Sequence, residues 1–175
     1  MIAAPLLAQR RDAWFEELRA QRSELSRRVN GLTIQALARN EQFVSATLQA
    51  VPVALRTNQQ EKREALRNAV LNVAAGNAPG QDLQSIFLNL VDECTPTHLQ
   101  VLRLFEHSDA AVRTRLAGQR GLTDQVVLDL NRRGLVTDPR PYVAQNRPSG
   151  FALVTLPWEL TSLGGSFLRF ISGPV

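Results

Sequence analysis

Apolar positions recur at spacings of three, four and seven along most of the chain, and in the first 94 residues that helical period is the only one present. From Leu6 to about Arg28, Leu7, Trp14, Leu18, Leu25 and Val29 mark one stripe of an amphipathic helix, and Phe15 widens it. The "NGLT" break at 30–33 offers Asn30 and Gly31 as a helix stop and Thr33 as the next N-cap. A second helical region is predicted from about Ile34 to Ala75. Pro52 is expected to interrupt it, giving two helices or one kinked near Ala50, because proline removes a backbone donor and clashes with the preceding turn. Its later part, "QQEKREALRNAVLNVAAG", buries Ala65, Leu66, Ala69, Val70 and Val73, places Glu61 and Glu64 early where the helix dipole favours them, and stops at Gly76. After the loop "NAPG", "DLQSIFLNLVDEC" sets Leu83, Ile86, Phe87, Leu90 and Val91 on one face.

Beyond residue 94 the period changes. Thr95 and Pro96 are a cap and first-turn proline for a helix whose Leu99, Leu102 and Phe105 face a core. In "SDAAVRTRLAG", Ser108 is the expected cap, Val112 and Leu116 are the buried positions, and Gly118 ends a short helix. Thr123 is the expected cap of "DQVVLDLNRRGLV", with Val126, Val127 and Leu130 inward and Gly134 as the stop. Leu135 and Val136 then begin a strand. After a loop holding Asp138, Pro139 and Pro141, "YVAQ" and "FALVTL" bracket "NRPSG" as a hairpin. "LTSLGGSFLRFI" closes the chain as a helix offering Leu163, Phe167, Leu168 and Ile171, its first turn weakened by the Gly164–Gly165 pair.

Three short helices, a hairpin and a closing helix follow the order of a winged helix-turn-helix domain, and residues 95–172 resemble that family. "DQVVLDLNRRGLV" is similar to its third helix and following strand, and "LTSLGGSFLRFI" to the helix after its wing. "FVSATLQAVPVALRTNQQEKREALRNAVLN" resembles part of uncharacterised bacterial proteins with the same helical-then-winged order, which carry no function over. The fold expectation is therefore mainly α. A helical region, 1–94, serves as scaffold or oligomerisation unit, and a winged-helix-like α/β domain, 95–175, carries a small β-hairpin wing.

Charge sharpens this division. The first 94 residues hold eleven basic and ten acidic residues, the remainder nine arginines and six acids, and Lys62 is the only lysine. An overall charge of +4 is compatible with nucleic acid without requiring it. The resemblance implies that the third helix enters the major groove of double-stranded DNA, presenting Asp124, Gln125, Asp129 and Arg132, with Asn131 beside them. Gln125 and Arg132 suit base edges, and Arg133 extends the basic pair. Arg113, Arg115 and Arg120 fall where phosphates pass, and Arg147 at the wing tip. Asp124 and Asp129 oppose a polyanion on that face. The competing reading makes the winged domain a protein-interaction module, its Arg132 and Arg133 serving only the carbonyl end of their helix.

Catalytic chemistry has little to stand on. Cys94 and His98 are separated by a helix start, no histidine or cysteine pair completes a zinc site, and neither a nucleophile triad nor a phosphate loop is present in the pattern. A non-enzymatic DNA-binding protein with a regulatory role, needing no cofactor, is the expectation. One cysteine and the absence of a long apolar run point to the cytoplasm. Three fates are open to the seam of Leu7, Trp14, Leu18, Leu25 and Val29: the chain's own core, a homodimer or other protein contact, and a membrane surface. Four interleaved acids, Asp12, Glu16, Glu17 and Glu24, disfavour the last.

Overall fold

A computed structural model describes residues 3–28, 33–107, 109–138 and 158–174. It is mainly helical with one small two-stranded antiparallel sheet. The chain forms two compact units, Met1–Glu93 with Arg169–Val175, and Cys94–Leu168. The sequence division after residue 94 lies one residue from the first boundary, but the last seven residues group with the amino-terminal unit. No described helix is long and apolar enough to cross a membrane.

The first unit is built from α1 (Ala3–Arg28), α2 (Ile34–Ala38), α3 (Glu41–Arg56), α4 (Gln60–Ala74) and α5 (Gln81–Glu93). Local chemistry sets their ends. Thr33 caps α2 by accepting from the Ala36 amide, and Asn40 caps α3 by accepting from the Phe43 amide. At the end of α4, Gly76 takes a φ of +80°. Its amide bonds the Val73 carbonyl and the Asn77 amide bonds that of Asn72, the paired closure that only a left-handed residue permits without strain.

Of the two outcomes expected at Pro52, the break into separate helices does not occur. Pro52 lies inside α3, and the breaks fall at Arg39–Asn40 and Thr57–Gln59. Pro52 and Leu48 both sit on the exposed side of α3, where water can hydrate the carbonyl that the missing N–H leaves unpaired.

Helix α4 touches α1, α3 and α5, and is buried on more than one face: Lys62, Arg67 and Asn72 are enclosed along with the apolar stripe. Alanines 46, 50 and 54 on α3 and 65 and 69 on α4 are almost wholly buried, so small side chains line the packed faces. Trp14 and Leu18 of the α1 seam are consumed in this core, while Leu7 is exposed. The Leu25 side chain and Val29 lie outside the described residues. On α5 the buried arc runs through Gln84, Phe87, Leu88, Leu90 and Val91, whereas Leu83 and Ile86 face outward. The shift follows from α5 having both α3 and α4 as neighbours, with Gln84 placed to donate its amide to the Gln42 carbonyl.

The carboxy-terminal residues complete this unit. Phe170 packs against Phe87 with ring centroids 5.7 Å apart. Asn68 donates to the Ile171 carbonyl, and Asn72 to those of Phe170 and Ser172 at 2.9 and 2.8 Å. Two asparagines one turn apart thus satisfy the carbonyls that the end of a helix leaves without partners.

The second unit holds α6 (Pro96–Glu106), α7 (Ala110–Ala117), α8 (Arg120–Arg132), β1 (Val136–Thr137), β2 (Glu159–Leu160) and the start of α9 (Ser162–Ile171). Because α6 is enclosed by α7, α8 and β2, it buries Val101 and Leu104 in addition to Leu99 and Leu102, and Phe105 is only half-buried. The N-cap of α7 is Asp109, not Ser108: its carboxylate accepts from the amides of Ala111 and Val112.

Strand β1 begins at Val136, one residue after the expected start at Leu135, and pairs antiparallel with β2, Val136 opposite Leu160. The expected hairpin strands "YVAQ" and "FALVTL", with Arg147, lie outside the described residues.

The first glycine of the pair in α9, Gly164, has a packing role. Thr161 caps this helix, its hydroxyl accepting from the Gly164 amide and donating to the Gly134 carbonyl at 2.6 Å. Its own amide bonds the Leu135 carbonyl. A Cβ at position 164 would overlap that same carbonyl oxygen, so the helix can lie against the backbone after α8 only with glycine there.

Candidate nucleic-acid interface

Helix α8 carries most of the side chains that the sequence assigned to a nucleic-acid surface, and α7 leads into it through Gly118 and Gln119. The helix begins four residues earlier than expected, with Gln119 in the N-cap position in place of Thr123. Thr123 is not its cap. Fully buried, it donates to the Leu116 carbonyl at 2.7 Å and approaches that of Gln119 at 3.0 Å, which ties the first turn of α8 to the end of α7. A buried hydroxyl needs such a partner, and this one fixes the turn between the two helices.

Val126, Val127 and Leu130 are buried, so the opposite side of α8 is presented outward. The other end closes on Gly134, at a φ of +70°. Gly134 bonds the Asn131 carbonyl, and Leu135 bonds that of Leu130. Asn131 is itself engaged, donating to the Val136 carbonyl at 3.0 Å, so it holds the start of β1.

The acids on this helix are not bare. Asp124 is 3.7 Å from Arg120 one turn earlier. One Asp129 oxygen takes the Arg133 Nε at 2.7 Å and lies 3.2 Å from His98 Nε2 on α6. On its other side, His98 Nδ1 is 3.2 Å from the Thr95 amide and 2.7 Å from the Thr95 hydroxyl. A backbone N–H can only donate, so Nδ1 accepts and the neutral ring carries its proton on Nε2, aimed at Asp129. Thr95, His98, Asp129 and Arg133 therefore form one chain of hydrogen bonds linking the start of α6 to the end of α8. Burial works to raise the Asp129 carboxyl, but the hydrogen bond and charge of Arg133, joined by His98, outweigh it and hold the group below its ordinary value.

Gln125 and Arg132 of α8 are both exposed and seven residues apart, thus on one side of the helix. No ion pair among the described residues engages Arg132. Arg133, by contrast, is half-buried and occupied by Asp129. On α7, Arg115 is exposed with its guanidinium 3.4 Å from the Gln100 amide oxygen, and Arg113 is half-buried. Arg120 is exposed within its pair.

The site has two features that the sequence reading missed. Leu122, 54% exposed, presents an apolar side chain three residues before Gln125. His98 ties down Asp129, and its position three residues after a threonine N-cap, the capping-box place ordinarily held by Glu or Gln, was the available signal. Among the described residues no three His, Cys, Asp or Glu side chains are grouped to hold a metal ion. No family model, curated protein or solved structure matches the chain.

Proposed function

We propose that the second unit is a winged-helix-like module that binds double-stranded DNA without catalysis, α8 lying in the major groove and the arginines of α7 at the phosphates. The observation that carries this reading is the pairing of both acids on α8. Asp124 sits with Arg120, and Asp129 with Arg133 and His98. The two charges that would repel a polyanion are thereby matched within the protein. Gln125 and Arg132 are exposed polar residues of the outward face, and both types suit base edges: glutamine bonds adenine, and arginine bonds guanine in two places. Arg115 adds positive charge nearby, of the kind that positions a helix on the backbone without reading sequence.

A second reading has one observation in its favour. Leu122 is an exposed leucine on the same helix, and apolar surface there fits a protein contact.

Fluorescence anisotropy of duplex DNA with the full chain, across a salt series, separates the two. DNA binding gives a log affinity that falls linearly with log salt, by about 0.9 per phosphate contact. Arg115→Ala lowers that slope, and Arg132→Ala relaxes the preference among sequences. No binding at low salt overturns the proposal and leaves Leu122 as the handle for a protein partner.

A further inference from the structure

An outward apolar strip of the first unit lies away from the α1 seam. Ile34 and Ala38, one turn apart on α2, lead into Val44 and Leu48, one turn apart on α3. Ile34 is 64% and Leu48 70% exposed. Ala38, Glu41, Val44, Ser45, Leu48 and Gln49 together line an open groove of about 490 Å³. A leucine in the middle of a 16-residue helix that leaves most of its surface in water contributes little to its own unit's core.

The charges along this strip are arranged in a particular way. Glu41 stands exposed at the first turn of α3 and Arg56 at its last, while the outward positions between them, Val44, Ser45, Leu48, Gln49 and Pro52, are uncharged. Leu48 falls at the midpoint of that span. Two copies of α3 laid antiparallel about a two-fold axis through Leu48 would set Glu41 of each against Arg56 of the other and oppose their helix dipoles. Arg56 already holds Asp92 at 2.7 Å, yet its side chain remains 64% exposed, so its other N–H groups can take a second carboxylate. A lipid surface would have to accept Glu41, Ser45 and Gln49, and an unrelated partner would have no need of opposite charges placed symmetrically about the leucine.

We infer that the α2–α3 strip is a self-association surface on which a second copy of this chain packs antiparallel, with Leu48 at the two-fold axis and Glu41–Arg56 pairs at both ends. This stands independently of DNA binding. The strip is about 24 Å long, from 16 residues at 1.5 Å each. It is narrow beside a standard interface of about 800 Å² per partner, so the dimer forms reversibly and its population rises with concentration.

The test is sedimentation velocity of the full chain over a concentration series, with circular dichroism to verify folding of each variant. The expected result is a monomer–dimer equilibrium that Leu48→Asp shifts by at least about tenfold toward monomer. Because Leu48 is exposed, that variant should fold. Glu41→Arg or Arg56→Glu alone sets like charges opposite each other and weakens the dimer, whereas the two together restore it, since each chain then carries the swapped pair. Monomer at every concentration overturns the inference and leaves the strip to a foreign partner. A dimer indifferent to Leu48→Asp also overturns it, as does a dimer that the double swap fails to rescue.

Discussion

The two units spend their cations differently. In the first, Lys62 and Arg67 are drawn inside: the Lys62 ammonium donates to the Asp92 carbonyl at 2.6 Å, and Arg67 is held by Glu17 and Gln21 of α1. In the second, Arg120 at the start of α8 and Arg133 just past its end pair with acids of that helix, while Arg132 faces outward. A buried cation is committed to the fold, because removing its partners leaves a charge without water or counter-ion. A surface cation in a one-turn pair contributes little to stability and stays available to a ligand. Charge counted along the chain is therefore a poor guide to function. What counts is how much of it the fold leaves uncommitted.

That contrast is open to attack by substitution. The largest effect belongs to Arg67→Ala, which strands Glu17 and Gln21 against α4. A loss of about 3 kcal/mol is expected in urea unfolding, the low end for breaking a buried pair because Glu17 is itself partly exposed. Equal stability would place Arg67 with the surface arginines.

Gly164→Ala tests the packing of the second unit without touching charge. Overlap with the Leu135 carbonyl should cost about 2 to 3 kcal/mol and be visible as a lowered Tm. A neutral alanine would mean that α9 can shift without penalty.

Asn72→Ala removes the donor shared by the carbonyls at the end of α9. It should cost about 1 to 2 kcal/mol and speed hydrogen exchange of the last turn, because buried acceptors lose their partner. Unaltered exchange would show that water replaces the amide.

Asp129→Asn probes the cluster on α8. The folded carboxyl is held below its ordinary value, so its contribution is fully present at neutral pH. It fades as pH falls from about 5 through the ordinary carboxylate range. The asparagine variant should lose that part of the acid dependence and, for a partly exposed pair, at most about 1 kcal/mol at neutral pH. Identical acid melts of the two proteins would remove Asp129 from the stabilising network. Arg132→Ala is the smallest: stability in urea unfolding stays within about 0.5 kcal/mol of the parent, and on the proposed DNA-binding reading its effect falls on duplex affinity measured by anisotropy.

Some features were legible in the chain because they are decided locally. The stops at Gly76 and Gly134 need only a residue that tolerates positive φ, and Thr33 needs only an amide three positions on. The apolar stripes of α4 and α8 follow from the helical period, and Leu66, Val70 and Val73 on the one and Val126, Val127 and Leu130 on the other are buried as expected. Where the reading missed, a neighbour in space had decided. Thr123 looks like a cap until the end of α7 is placed beside it, and Pro52 looks like a break until its side of α3 proves to face water. Leu83 and Ile86 share a period with Phe87, yet lie outside the arc that α3 and α4 cover.

By itself, then, the sequence determined the helical character, most helix positions and the glycine stops, because backbone geometry is set by a few adjacent residues. Only the tertiary structure decided which charges are committed. His98 and Asp129 are 31 positions apart, Glu17 and Arg67 fifty, and no period along the chain joins them. Their pairing depends on which faces the helices turn toward one another, and burying one apolar stripe selects that face for every residue on the helix at once.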